Sequence, residues 1–312
     1  MTVDVTMRPA DIVLVGPASI DRYLRADGGP PELVPGGGAL NVAHHWSRAG
    51  LPFTFVTRVG DDQPAVFTDF LHRHAITHGD IVTPGVSASI DIVMREDRQP
   101  WMDHFVEGVW SGFRLDDAEA ALVSGARCVH AVMVDVVLAE FERLGALGAF
   151  DGVEVSADYL SFRHVDLDRF ARTLSVVDLA FVGWPGEVDD PVVRGLVGRV
   201  RDAGRRAVVT FGARGVLVVD ADGERWVPVD AVEVTGTTVG CGDAFIAAFL
   251  ATLWSDGSAS PALTNAWGNR LDAALDAARA AGALATTWLR PLPADAYARD
   301  GEPRVQPAGL GR

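Results

Sequence analysis

Strand-length apolar runs alternate with stretches of helical spacing along most of this chain. The runs lie at residues 12–15, 53–59, 128–134, 153–157, 179–182, 207–211 and 216–219. Helical patterns occupy 39–49 (stopping at Gly50), 64–75, 115–124, 136–147, 167–174, 191–203, 242–254 and 271–288. A strand that is apolar throughout must be covered on both faces, and intervening helices supply that cover. The expected fold is therefore α/β: a doubly wound, mostly parallel sheet with helices on both faces.

One region departs from this rhythm. Residues 87–94 alternate like a strand, residues 95–99 read as a polar turn, and residues 101–106 return as a hairpin partner. This predicts a small β lid outside the main sheet, with segments near 17–35 and 85–107. Residues 17–35 themselves read as polar and turn-rich. The stretch after 292 carries proline, glycine and charge without periodicity, so one folded domain over 1–292 with a poorly ordered tail over 293–312 is expected.

Charge and composition narrow the function classes. The net charge is −15, which argues against nonspecific binding to nucleic acid or to an anionic membrane surface. All 27 basic residues are arginine, so neither a P-loop lysine nor a Schiff-base lysine is available. Cys128 and Cys241 are far apart and form no disulfide or zinc pattern. The first residues carry no apolar signal stretch, and no apolar run approaches the ~20 residues that span a bilayer. These features lead us to expect a cytoplasmic protein.

Four segments carry candidate chemistry. In Thr237 to Leu250 (TTVGCGDAFIAAFL), Gly240, Cys241 and Gly242 let backbone approach a ligand, and an apolar helix follows at once. The amides at such a helix start lack intrahelical partners and face the positive end of the dipole, which suits an anion. Asp243 stands beside them, placed to take a proton from a hydroxyl; an acidic first turn also stabilises any helix. In GGGALNVA, the glycines 36–38 precede a helix whose first turn holds Asn41, a donor and acceptor toward a polyol; a flexible connection reads the same way. Asp21 follows the first strand by a few residues, where ligands collect in open α/β sheets, although a loop aspartate is the plainer reading. Gly16 stands without the G-x-G-x-x-G of a dinucleotide site, which argues against a dehydrogenase. In VVTFGARGVLVV, Thr210, Gly212 and Gly215 sit in a turn that either frames a nucleotide or closes a hairpin.

Taken together these segments resemble the PfkB, ribokinase-like carbohydrate kinases, over about residues 11 to 290. The first family signature reads GGGALNVAHHWSRAGLPFTFVTRVGDD here, and the second centres on Gly240-Cys241-Gly242-Asp243. The resemblance implies an ATP-dependent kinase acting on a hydroxyl of a small sugar-like substrate, with Mg²⁺. It implies Asp243 as the base, and Gly240, Cys241 and Gly242 as the anion hole. Asp21, Gly37, Gly38 and Asn41 would hold the substrate, with Thr210, Gly212 and Gly215 by the nucleotide. A homodimer through the β lid belongs to the same implication.

Segments at 104–115, 128–132, 156–159 and 177–183 are similar to the fructoselysine 6-kinase branch, which favours a ketose or fructosamine-like acceptor. A nucleoside kinase of the same fold is the alternative, and a ligand-binding protein that has lost catalysis is the alternative of another class. Trp101, Phe105 and Trp110 are candidates to cover the substrate. Three positions depart from the family pattern. Pro17 replaces a commonly polar residue. Trp184 replaces the asparagine of an N-x-x-E motif that supports the metal region, while its glutamate remains as Glu187. Thr237 replaces an aspartate that often serves a monovalent-cation site.

Overall fold

The computed structural model describes residues 11–95, 98–162, 165–254 and 263–298. In chain order it begins with β1 (Ile12–Val15), β2 (Ser19–Tyr23), β3 (Glu32–Gly36), α1 (Gly38–Arg48), β4 (Thr54–Val56), β5 (Val59–Gly60) and α2 (Pro64–Arg73). Then come β6 (Thr77–His78), β7 (Val82–Thr83), β8 (Ser89–Met94), β9 (Pro100–Val106), α3 (Asp117–Ser124), β10 (Cys128–Val132) and α4 (Asp135–Ala146). The rest is β11 (Glu154–Asp158), α5 (Leu167–Thr173), β12 (Leu179–Gly183), α6 (Pro191–Asp202), β13 (Arg206–Thr210), β14 (Val216–Asp220), β15 (Gly223–Val227), α7 (Cys241–Trp254) and α8 (Leu263–Ala285).

The main sheet has nine strands in the order β15-β14-β13-β12-β11-β10-β1-β4-β6. From β13 to β6 every pairing is parallel, and β14 and β15 add an antiparallel edge. Strands β1, β10 and β14 have apolar side chains on both faces, and two hydrophobic clusters line the two sides. One holds α1, α2, α7 and α8, the other α3 to α6. Such burial is what a run like IVLV requires, so the α/β expectation holds.

The strand order reverses between β1 and β10: the chain leaves β1 toward β4 and only later returns to β10. The crevice beyond the carboxyl ends of these two strands is the topological switch point of the sheet.

The lid is a separate four-stranded sheet, β3-β2-β8-β9. Residues 17–35 are thus a strand pair and not the irregular segment their polar composition predicts. Strand β2 pairs with β3 on one side and with β8 on the other, and that second pairing is long-range. The Gly-Asp end of the first signature anchors the lid's root. A Cβ on Gly60 would fall 2.3 Å from the Gly85 carbonyl oxygen, and Asp61 and Asp62 accept the amides of Gly85 and Ser87, both at 3.0 Å. Residues 293–298 of the expected tail pack back on the domain: Ala296 is buried and its carbonyl lies 2.9 Å from His74 Nε2. Residues 299–312 lie outside the described residues, as do the N-terminal ten and two of the five expected turn residues at 95–99. No described helix is long and apolar enough to cross a membrane.

Candidate active site

Helices α1 and α7 meet beneath the switch point. Trp46, fully buried, donates from Nε1 to the Ala247 carbonyl at 3.1 Å and fixes one helix on the other. That register brings Asn41, in the first turns of α1, to Asp243, in the first turn of α7. Asn41 Nδ2 donates to Asp243 Oδ2 at 2.7 Å across 202 residues of sequence. The other amide atom, Asn41 Oδ1, is buried and has no partner among the described residues. A buried acceptor without a donor is costly unless a ligand fills the place.

The glycines of the first signature act at different points. Gly37 has φ 98°, and a Cβ there would lie 2.6 Å from the Pro17 carbonyl oxygen. Gly38 faces Asp243 Oδ1, 3.2 Å from where its Cβ would be, and β10's Val132 lies 3.7 Å away on the same side. Gly36 lies under Asp21: a Cβ would sit 2.2 Å from the Asp21 carboxylate. Asp21 comes from the middle of β2, so the lid supplies it, and Ser19 Oγ donates to it at 3.0 Å.

Helix α7 begins at Cys241, one residue earlier than its pattern predicts. The Cys241 amide is turned to the Thr238 carbonyl at 3.4 Å and that of Ala244 to Gly240 at 2.9 Å. The amides of Gly240, Gly242 and Asp243 meet no acceptor among the described residues. The free donors expected at Gly240, Cys241 and Gly242 are therefore shifted by the early helix start, with Asp243's own amide in place of that of Cys241. Gly240 has φ 80° and passes against Pro291, whereas Gly242 opens onto free space. Thr237 is buried, its hydroxyl accepting the Val239 amide at 3.2 Å and lying 3.9 Å from Met94 Sδ.

Burial holds the Asp243 carboxyl up at about 6, with the Asn41 bond pulling it the other way. Its side chain is dense with protein around it yet partly open to solvent, as a group on the floor of a site must be. Asp21 is pushed up to about 7, first by burial and then by Asp243's charge, against the Ser19 hydrogen bond. A third carboxyl shares this environment. Asp158 ends β11 beside Val132 in register, is buried, and is raised to about 7 by burial and by Asp243. Its Oδ1 accepts the Leu160 amide at 2.8 Å. Sequence reasoning passed over its role, although an acidic residue closing a buried strand stood as the signal.

The remaining predicted residues form a second group. Thr210 ends β13 beside Gly183, and Gly212 to Arg214 make a single 3₁₀ turn. Arg214 reaches over to Glu187 Oε1 at 3.0 Å and to the Pro185 carbonyl at 2.8 Å. Trp184 Nε1 donates to Asp190 at 2.7 Å, so the tryptophan anchors this loop. Gly215 lies under the Trp226 ring, 2.3 Å from the position of a Cβ, and serves the β14–β15 hairpin. Among the described residues no hydrogen bond or ion pair joins this group to Asp243. Glu187 is largely exposed and ion-paired with Arg214, and among the described residues no three metal-binding side chains converge.

Two aromatic expectations fail. Trp110 is buried in the core, donating to the Arg58 carbonyl at 3.0 Å and packed on Phe113. Trp101 pairs with Val93, on the lid face of Arg22 and Asp91, whereas Asp21 pairs with Ile90 on the other face. Strand β10 is likewise buried along its whole length, His130 included, so only its end at Val132 reaches the site.

Residues 187–289 match the family described as pfkB family carbohydrate kinase. Fructoselysine 6-kinase of Escherichia coli is 27% identical over 252 residues, covering 80% of this chain and 91% of the relative. Cytidine kinase of Thermococcus kodakarensis is also 27% identical over 252 residues, covering 77% and 87%. Among solved structures, ribokinase of Giardia lamblia aligns with a TM-score of 0.73 at 19% identity over 93% and 96% of the two chains. A sugar kinase of Pyrococcus horikoshii, in complex with ATP, aligns with a TM-score of 0.66 at 16% identity over 90% and 95%.

Proposed function

We propose that this chain is a phosphotransferase of the pfkB carbohydrate kinase type that moves the γ-phosphoryl group of ATP to a hydroxyl of a sugar or sugar derivative, a ketose or fructosamine-like acceptor being favoured. The observation that carries this reading is Asp243, held by Asn41 at 2.7 Å beside amides without acceptors at the start of α7.

The acceptor hydroxyl attacks the γ-phosphorus of magnesium-bound ATP, ADP departs, and the hydroxyl proton passes to the Asp243 carboxylate. With a value of about 6, Asp243 is ionised at neutral pH and still basic enough to accept that proton. The free amides of Gly240, Gly242 and Asp243 face the transferring group, where negative charge must be borne. Mg²⁺ enters with the nucleotide as part of the substrate, which needs no protein cage. Asn41 Oδ1 and Asp21 accept from acceptor hydroxyls, and Gly37 and Gly38 allow the acceptor close to backbone. Thr210 and Gly212 lie on the nucleotide side.

The similarity to cytidine kinase supports a second reading, a nucleoside acceptor. Kinetics on fructoselysine, fructose, ribose, adenosine and cytidine separate the two: a clear nucleoside preference in kcat/KM would reject the ketose reading and leave the kinase. Exposed Trp101, Met102, Phe105 and Val106 on edge strand β9 support a pairing of two copies through the lid. A monomer at micromolar concentration by light scattering rejects that pairing.

A further inference from the structure

Arg290 ties the lid to the domain from the C-terminal side. After α8 the chain runs back across the domain, and residues 286–297 are pinned to it on either side of Arg290. The Gly236 amide donates to the Thr286 carbonyl at 2.8 Å, and a Cβ on Gly236 would fall 1.9 Å from the Trp288 carbonyl oxygen. Further on, Leu292 is buried in the core and the Ala296 carbonyl lies 2.9 Å from His74 Nε2.

From this fixed segment the Arg290 guanidinium pairs with Glu32 of β3 and lies 4.0 Å from the centre of the Tyr23 ring of β2. Tyr23 and Glu32 are register partners, so Arg290 spans both strands of the hairpin at one rung. The rung of Asp21 and Val34 lies two residues along, and side chains two apart on a strand share a face. On that face Tyr297 packs against the buried cluster of Tyr23, Val34 and Ile92. The Arg290 side chain is only 24% exposed, so its contacts are partly shielded from water.

We propose that Arg290 is a positioning residue for the acceptor: by clamping the rung next to Asp21 it holds that carboxyl over Gly36, at the acceptor end of the site. The inference rests on the reading of Asp21 as an acceptor-binding residue and deepens it. Arg290 acts through Tyr23 and Glu32, not on the reacting atoms. Without the clamp, part of the acceptor's binding free energy must go into ordering β2. That loss falls on KM; a saturating acceptor restores the same arrangement, so kcat is spared.

The test uses the full chain and the acceptor that the kinetic screen yields, with rates read by ADP release. Arg290→Gln is expected to raise acceptor KM roughly fivefold with kcat within about twofold of wild type, the scale of a part-buried cation–π contact with an ion pair. Arg290→Lys keeps the charge over the ring and is expected to recover part of the loss. Glu32→Gln, on the lid side, is expected to raise KM in the same direction, and the double variant no further than Arg290→Gln alone. Tyr23→Phe keeps the ring beneath the guanidinium and removes a buried hydroxyl that has no partner among the described residues, so KM should stay within about twofold. Hydrogen exchange gives a readout that needs no acceptor: Arg290→Gln is expected to speed exchange of the β2 amides while β10 to β12 keep wild-type protection. Acceptor KM unchanged in Arg290→Gln, an equal rise in Tyr23→Phe, or losses that add in the double variant overturn the clamp and leave the kinase standing. Faster exchange throughout the main sheet overturns it too, since Arg290 would then serve global stability. Absence of wild-type turnover with every acceptor overturns the kinase reading, and the positioning role with it.

Discussion

Replacing Asp243 by asparagine separates what this residue does for catalysis from what it costs the fold. The amide is isosteric, and its oxygen still accepts from Asn41 Nδ2, so the bond between α1 and α7 survives. What the proposed mechanism loses is a base, worth on the order of 10²–10⁴ in kcat. What is gained is relief from placing a charge in dense protein. The carboxyl is raised from 3.8 to about 6. Each pKa unit corresponds to ~1.4 kcal/mol, and discounting for its open side leaves a penalty of about 1–3 kcal/mol at alkaline pH.

The sign follows from proton linkage. The folded value lies above the unfolded one, so between about 4 and 6 the folded wild type holds a proton that the unfolded chain has released, and wild-type stability falls as pH rises through this window. The variant does not share this loss. Asp243→Asn is therefore expected to melt a few degrees higher than the wild type at pH 8 and level with it near pH 4. Asp21 and Asp158 would feel the same relief, since Asp243's charge is among the causes that raise both. The assays are thermal melts across pH and single-turnover phosphoryl transfer. Activity within tenfold of wild type would remove Asp243 as the base. A variant less stable than wild type at pH 8 would refute the burial argument.

Asn41→Ala removes the hydrogen bond that lowers the Asp243 value, so the acid limb of the kcat profile, expected near pH 6 in the wild type, should move to higher pH while KM for the acceptor rises severalfold; an unmoved limb would show that Asp243 does not set it. Gly36→Ala puts a methyl group 2.2 Å from the Asp21 carboxylate and must displace it, so acceptor KM should rise at least tenfold while nucleotide affinity, read by calorimetry, stays within twofold; parallel losses in both would refute the separation of acceptor and nucleotide ends. Potassium should leave kcat within twofold of its value in a large organic cation, because Thr237 puts a buried hydroxyl where a carboxylate would favour the ion; a steep activation overturns this.

The sheet was legible because its strands are buried on both faces: IVLV and CVHAV admit no other placement once helices flank them. The lid hairpin of β8 and β9 was legible for a related reason, since strand alternation around a polar turn is local. Strand β2 was not, because SIDRY pairs with β3 across a polar connection and with β8 some 70 residues away, and a polar segment carries no mark of either partner. The same limit decided the aromatic residues. Composition shows that Trp101 and Trp110 are large and apolar, but only register and packing show that one turns away from Asp21 and the other fills the core.

The site divides along the same line. Asp243, Asn41 and the glycines could be read because backbone demands tie them to short motifs: a helix start, a close approach, a positive φ. Asp158 belongs to no such motif. Its place follows from β11 lying next to β10 in a parallel sheet, so that two strand ends far apart in sequence open on one crevice at the switch point. Asp243→Asn is accordingly expected to slow transfer to every acceptor alike, because its carboxylate is set by the start of α7 and not by any one substrate.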